Sequence, residues 1–202
     1  MAALERRTSV TLECRAQENK LVGIAAPYST WSSTLYIRAG NRSQPFIEQI
    51  QKGAFDKSLQ EDDIKALIGH DSTMVLGRTK SQTLTVRSTD EGLAFELQLP
   101  NHDLGQRIRE MVARGDMGEC SFGFFVRENG DIWDKTNSLW KRTLVDVELK
   151  EISFVIDPAY PEGTSIQLRD LRSVYLHHMR SHAERWLAVE KLRFPQRRQH
   201  GS

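Results

Sequence analysis

The chain is poor in cysteine: its 202 residues include only Cys14 and Cys120. Two thiols can build neither a disulfide scaffold nor a cysteine zinc cage, so a reducing, intracellular setting is expected. No stretch approaches the roughly eighteen uninterrupted apolar residues that a membrane span needs. The opening MAALERRTSV lacks the apolar centre of a secretory signal, so neither a span nor export is expected. Neither GxGxxG nor a P-loop glycine pattern occurs, which leaves nucleotide binding without support. Internal repeats and low-complexity segments are also missing. What is present, 39% hydrophobic and 27% charged residues, suits one globular domain with a sizeable core.

The net charge of +1 is unevenly spread. Residues 171–202 hold seven Lys/Arg against Glu184 and Glu190, a net +5, and leave −4 on residues 1–170. A mildly acidic body thus carries a basic tail that also holds His177, His178, His182 and His200. Such a tail could meet nucleic acid or an acidic partner, or simply form a solvated helix face. The body offers no basic groove for a nucleic-acid backbone, so nucleic acid is not an expected partner. His177-His178 and His182 have helical ligand spacing but no acidic residue at a matching position, so no metal site is expected.

Apolar patterning predicts strands over 21–26, 83–86 and 93–99, the last two forming a hairpin around Asp90-Glu91-Gly92. A helix is predicted over 103–114, with Leu104, Ile108, Met111 and Val112 on one face. Asn101 or Asp103 can cap its start, and Gly115 stands where a left-handed C-cap belongs. A short helix is predicted near 53–59 and a long one over 168–192. Two further strands, 120–126 and 149–156, flank a polar stretch containing Asn129-Gly130. The body therefore reads as mainly β with helices, an α+β chain.

Those last two strands carry the candidate chemistry. Alternation puts Cys120, Phe122, Phe124 and Val126 on one face, with Ser121 and Gly123 on the other. It likewise separates Ile152, Phe154 and Ile156 from Glu151 and Ser153. A half-exposed strand has a polar outer face anyway, so Ser121 and Glu151 read equally well as surface residues. Gly123 weighs the other way, because it leaves space beside the Ser121 hydroxyl for another backbone. A serine nucleophile needs a base, most often histidine near neutral pH. His70, after the apolar run ending at Gly69, is better placed than His102 in its loop. An acid must orient the imidazole, and Glu151, Asp71 and Asp157 all stay open by pattern. Cys120 lies on the apolar face and reads as packing.

Several blocks occur in order: Gly53-Ala54-Phe55-Asp56-Lys57-Ser58-Leu59, Gly69-His70-Asp71, Val75-Leu76-Gly77-Arg78-Thr79 and Gly92-Leu93-Ala94-Phe95. Arg114-Gly115-Asp116, Ser121-Phe122-Gly123-Phe124, Leu149-Lys150-Glu151-Ile152-Ser153 and Pro158-Ala159-Tyr160 follow. Across residues 21–164 this series resembles the prohead (capsid-maturation) serine proteases of tailed bacteriophages, distant relatives of the herpesvirus assembly proteases. The resemblance implies a closed or nearly closed β-barrel surrounded by helices, like the herpesvirus assembly proteases. It implies a protease domain over 1–164, with 165–202 as a basic helical extension open to self-cleavage. By motif match His70 is the general base, Ser121 the nucleophile and Glu151 the orienting acid, where the herpesvirus relatives use a histidine. Those relatives place oxyanion donors after the third residue, where this chain has residues 156–161.

The implied substrates are the scaffolding segment of the major capsid protein precursor and the protease itself, cleaved inside the assembling prohead in the host cytoplasm. Self-association stays open, and no cofactor, metal or membrane is implied. Two other readings accompany this one: a catalytically inactive capsid-assembly scaffold or interaction protein of the same fold, and a nucleic-acid-binding β-barrel.

Overall fold

Short apolar and alternating runs become thirteen strands and two helices in the computed structural model, which describes residues 4–9, 15–17, 19–39, 42–136 and 139–155. In chain order these are β1 (Glu5–Ser9), β2 (Arg15–Gln17), β3 (Lys20–Pro27), β4 (Leu35–Ala39), β5 (Arg42–Ile50) and α1 (Asp56–Glu61). Next come β6 (Lys65–Ile68), β7 (Asp71–Arg78), β8 (Leu84–Ser88), β9 (Gly92–Gln98) and α2 (Asp103–Arg114). The series ends with β10 (Glu119–Val126), β11 (Asp131–Thr136), β12 (Leu139–Leu144) and β13 (Val147–Val155). The strands form three sheets, ordered β1-β10-β13-β6-β7, β11-β12-β5-β4 and β2-β3-β9-β8.

This arrangement corrects the expected barrel. No sheet closes on itself, since closure needs the two edge strands of a sheet to pair and none of these pairs does. With only α1 and α2 among the described residues, no ring of helices surrounds the sheets. The physical reason lies partly at β1, which meets β5 and β12 through charged side chains instead of a backbone ladder. The predicted helix 168–192 and the extension 165–202 lie outside the described residues.

The core forms where the apolar faces of the first and third sheets meet. Phe122 stacks on Phe124 at 5.5 Å and meets Phe55 edge-on at 6.1 Å, while Phe154 meets Phe95 at 5.5 Å. Each fully buried phenylalanine contributes roughly 1.5–3 kcal/mol. Short α1 is fastened to β13 by a buried serine. The Leu149 N–H donates to Ser58 Oγ at 2.7 Å, and that hydroxyl donates to Asp62 Oδ2 at 2.6 Å. Helix α2 has the bounds its periodicity predicts and ends on Gly115 at φ +80°. Its N-cap, however, is the His102 ring, which accepts the Leu104 N–H at 3.4 Å.

A buried charge cluster ties β1 to the second sheet. Arg142, with no exposed surface, donates to both oxygens of Glu5 (2.6 and 2.9 Å), to Glu48 (2.9 Å) and to Asp131 (2.8 Å). Arg7 donates to Glu48 at 2.7 and 2.9 Å and to Glu5 at 2.7 Å, with its guanidinium 5.4 Å from the Phe124 ring centroid. Burial by itself would raise the Glu5 carboxyl, but the adjacent Arg142 and Arg7 outweigh it and hold the group below its ordinary 4.5. Glu5 therefore stabilises the fold above its ordinary value, and that contribution is lost as pH falls through the depressed one. Replacing Arg142 by Met removes the cation shared by Glu5, Glu48 and Asp131 and leaves Arg7 as the guanidinium still bound to Glu5 and Glu48. The expected loss is about 3–5 kcal/mol in urea unfolding at pH 7. The deficit should shrink in acid, once those carboxylates are protonated.

Candidate active site

Cross-strand pairing assembles the site. β10 and β13 run antiparallel with Ser121 opposite Ser153 and Gly123 opposite Glu151, so all four lie on the face away from the aromatic core. That face is covered: Ser121 is 1% exposed, Ser153 0% and Glu151 7%. Neither Ser121 nor Glu151 is thus a surface residue. Gly123 has a specific reason. A Cβ there would lie 2.8 Å from Glu151 Cγ and 2.9 Å from its Oε1. The space beside Ser121 is filled by the glutamate side chain, where sequence reasoning expects a second backbone.

His70 arrives from the neighbouring strand. β6 runs parallel to β13, with Ile68 opposite Phe154, and then turns back into β7 with Ile68 paired to Asp71. The two residues between, Gly69 and His70, have φ of +57° and +63°, the mark of a type I′ hairpin turn. A left-handed backbone costs a non-glycine residue roughly 1–2 kcal/mol. Two contacts with β13 hold the turn. The Gly69 N–H donates to the Phe154 carbonyl at 2.9 Å, and the His70 N–H donates to Ser153 Oγ at 2.7 Å. So anchored, the imidazole brings Nδ1 to 2.6 Å from Glu151 Oε1.

The same Glu151 oxygen also accepts from Arg6 Nε at 3.2 Å. Burial would raise the Glu151 carboxyl, but the hydrogen bond and charge of His70, followed by those of Arg6, keep it below its ordinary range. An ionised carboxylate can only accept, so His70 Nδ1 is the donor of this contact. The Ser121 hydroxyl makes no hydrogen bond with any described residue.

Other candidates fall elsewhere. His102 serves as a helix cap. Asp71 turns back onto its own strand, where Oδ1 accepts from the Thr73 N–H at 2.8 Å and the Thr73 hydroxyl at 2.6 Å. Cys120 is buried on the apolar face opposite Phe154. Asp157, the histidines of the tail and residues 156–161 lie outside the described residues. Among the described residues no group of three His, Cys, Asp or Glu could hold a metal ion, and no helix is long and apolar enough to cross a membrane. Sequence reasoning missed Arg6 and the anchoring role of Ser153. Arg6 sits in a short charged run, and only its register opposite Gly123 reveals where it points.

A family model described as caudovirus prohead serine protease matches residues 8–178. No curated protein and no solved structure matches the chain.

Gly123→Ala should leave the fold intact, because the nearest atoms belong to a flexible side chain. It should push the carboxylate off Nδ1 and lower hydrolytic activity about 10- to 100-fold, the scale of ångström misplacements in active sites. Activity assays beside urea unfolding curves check both halves.

Proposed function

The chain belongs to the caudovirus prohead serine protease family, and from that premise we propose that Ser121, His70 and Glu151 are its catalytic triad, acting on the scaffolding segment of a major capsid protein and on the protease itself. Family membership makes the chain a serine protease of capsid maturation, with a capsid protein as substrate and the assembling prohead in the host cell as its place of work. The observation that carries the residue assignment is the 2.6 Å contact between His70 Nδ1 and Glu151, on the sheet face that also bears Ser121.

The chemistry follows from that arrangement. His70 Nε2 takes the hydroxyl proton as Ser121 Oγ bonds to the scissile carbonyl carbon, giving a tetrahedral oxyanion. Glu151 stabilises the imidazolium through Nδ1–H. Collapse of the oxyanion breaks the C–N bond, His70 returns the proton to the leaving amine, and the acyl group stays on Ser121. Water, deprotonated by the same imidazole, attacks the ester and regenerates the hydroxyl. Backbone N–H donors to the oxyanion contribute on the order of 3 kcal/mol each. Because Ser121 is 1% exposed, a substrate reaches it only after the face over β10 and β13 opens. The domain reading belongs to the same proposal, with 1–164 as the protease and 165–202 as the extension that self-cleavage removes.

Ser121→Ala should abolish processing of a co-expressed capsid precursor without shifting the urea midpoint. A fluorophosphonate should label Ser121 in the parent protein. Full processing by the variant would sink the assignment, and an unlabelled but folded parent would favour an inactive assembly protein. Intact mass spectrometry should find the parent shorter than the Ser121→Ala form; equal full-length masses would refute self-cleavage.

A further inference from the structure

The N-terminal strand contributes a side chain to the site that the family resemblance does not assign. On β1, Arg6 pairs with Gly123, the residue whose missing side chain makes room for Glu151. Its Nε donates to Glu151 Oε1 at 3.2 Å, the same oxygen that meets His70 Nδ1 at 2.6 Å. Alternation places its neighbours on the opposite face, where Glu5 and Arg7 join the buried cluster around Arg142. Those contacts pin the backbone on either side of Arg6. The arginine side chain itself is 47% exposed.

We propose that Arg6 is a positioning residue of the protease, holding the Glu151 carboxylate in the orientation that directs His70 towards Ser121. The role rests on the triad proposed above. One carboxylate oxygen shared by two donors cannot rotate away from either without losing the other. A planar guanidinium donating through Nε fixes direction as well as charge, which an ammonium on a flexible stem does not. The charge has a second consequence, since the Arg6 cation helps to hold the Glu151 carboxyl below its ordinary range. The groups that act on the Glu151 carboxyl are His70 from the β6–β7 turn and Arg6 from β1, and Lys65 stands opposite it in register on β6.

The test compares fluorophosphonate labelling rates of Ser121 across pH 5–9 in the full chain and its Arg6→Gln and Arg6→Lys variants. Arg6→Gln should label roughly 3- to 10-fold more slowly at its optimum. Its acid limb should move to higher pH by on the order of half a unit, with an unchanged urea midpoint. Arg6→Lys should restore the acid limb while recovering only part of the rate. A parental rate and acid limb in Arg6→Gln would overturn the role, as would a slower rate that tracks a lower urea midpoint with the limb unmoved. Absence of labelling in the folded parent would overturn the triad itself, and the role of Arg6 with it, so the two failures are distinguishable.

Discussion

The register between β10 and β13 is the constraint on which the rest of the molecule depends. It sets Ser121 against Ser153 and Gly123 against Glu151 on one face, and Cys120 against Phe154 and Phe122 against Ile152 on the other. A slip of one residue would send the phenylalanines to the polar side and the serine and glutamate into the aromatic core. Burial of those rings therefore fixes the position of the candidate nucleophile, although none of them touches it in a chemical step. The bulge after Gly123 lets β13 change phase there, and Ser58 takes up the Leu149 N–H beside it.

Strand β1 links two electrostatic layers that would otherwise be independent. Its Glu5 and Arg7 enter a cluster with Arg142, Glu48 and Asp131, and Arg6 between them reaches Glu151. Buried ion pairs add little net stability over well-packed apolar residues, but removing one partner is expensive. The cluster thus works as a lock on position: β1 can sit in only one register without stranding a charge. In this protease that register delivers the second donor to the carboxylate of the His70–Glu151 pair.

His70 illustrates how local cost and site geometry are joined. A left-handed histidine is unfavourable alone, yet the turn is held by the Phe154 carbonyl and the Ser153 hydroxyl, both on the strand that bears Glu151. The proposed base and acid are therefore oriented by one strand, and the hydroxyl opposite Ser121 serves as an anchor for the backbone of His70. Serine at position 153 looked from its pattern like an ordinary polar-face residue, because a hydrogen bond to a backbone 83 residues away leaves no periodic trace.

Local rules made α2, the β8–β9 hairpin and the two site strands legible, because periodicity, a C-cap glycine and turn residues act within a few positions. The ordered blocks likewise identified the family, and the two strand faces put Ser121 and Glu151 among the candidates. The hairpin of β11 and β12 was read as a polar connection, since its strands carry Asp131, Lys135, Lys141 and Arg142 where apolar alternation was sought. The barrel expectation failed for a related reason: closure is decided by which strand edges meet, and here β1 meets the second sheet through side chains. Sequence by itself determined strand phase, the bounds of α2 and the residue types available for chemistry, because these depend on neighbours along the chain. Which acid faces His70, why residue 123 is glycine and where Arg6 points were decided only by tertiary pairing, because each depends on cross-strand neighbours that primary order does not encode.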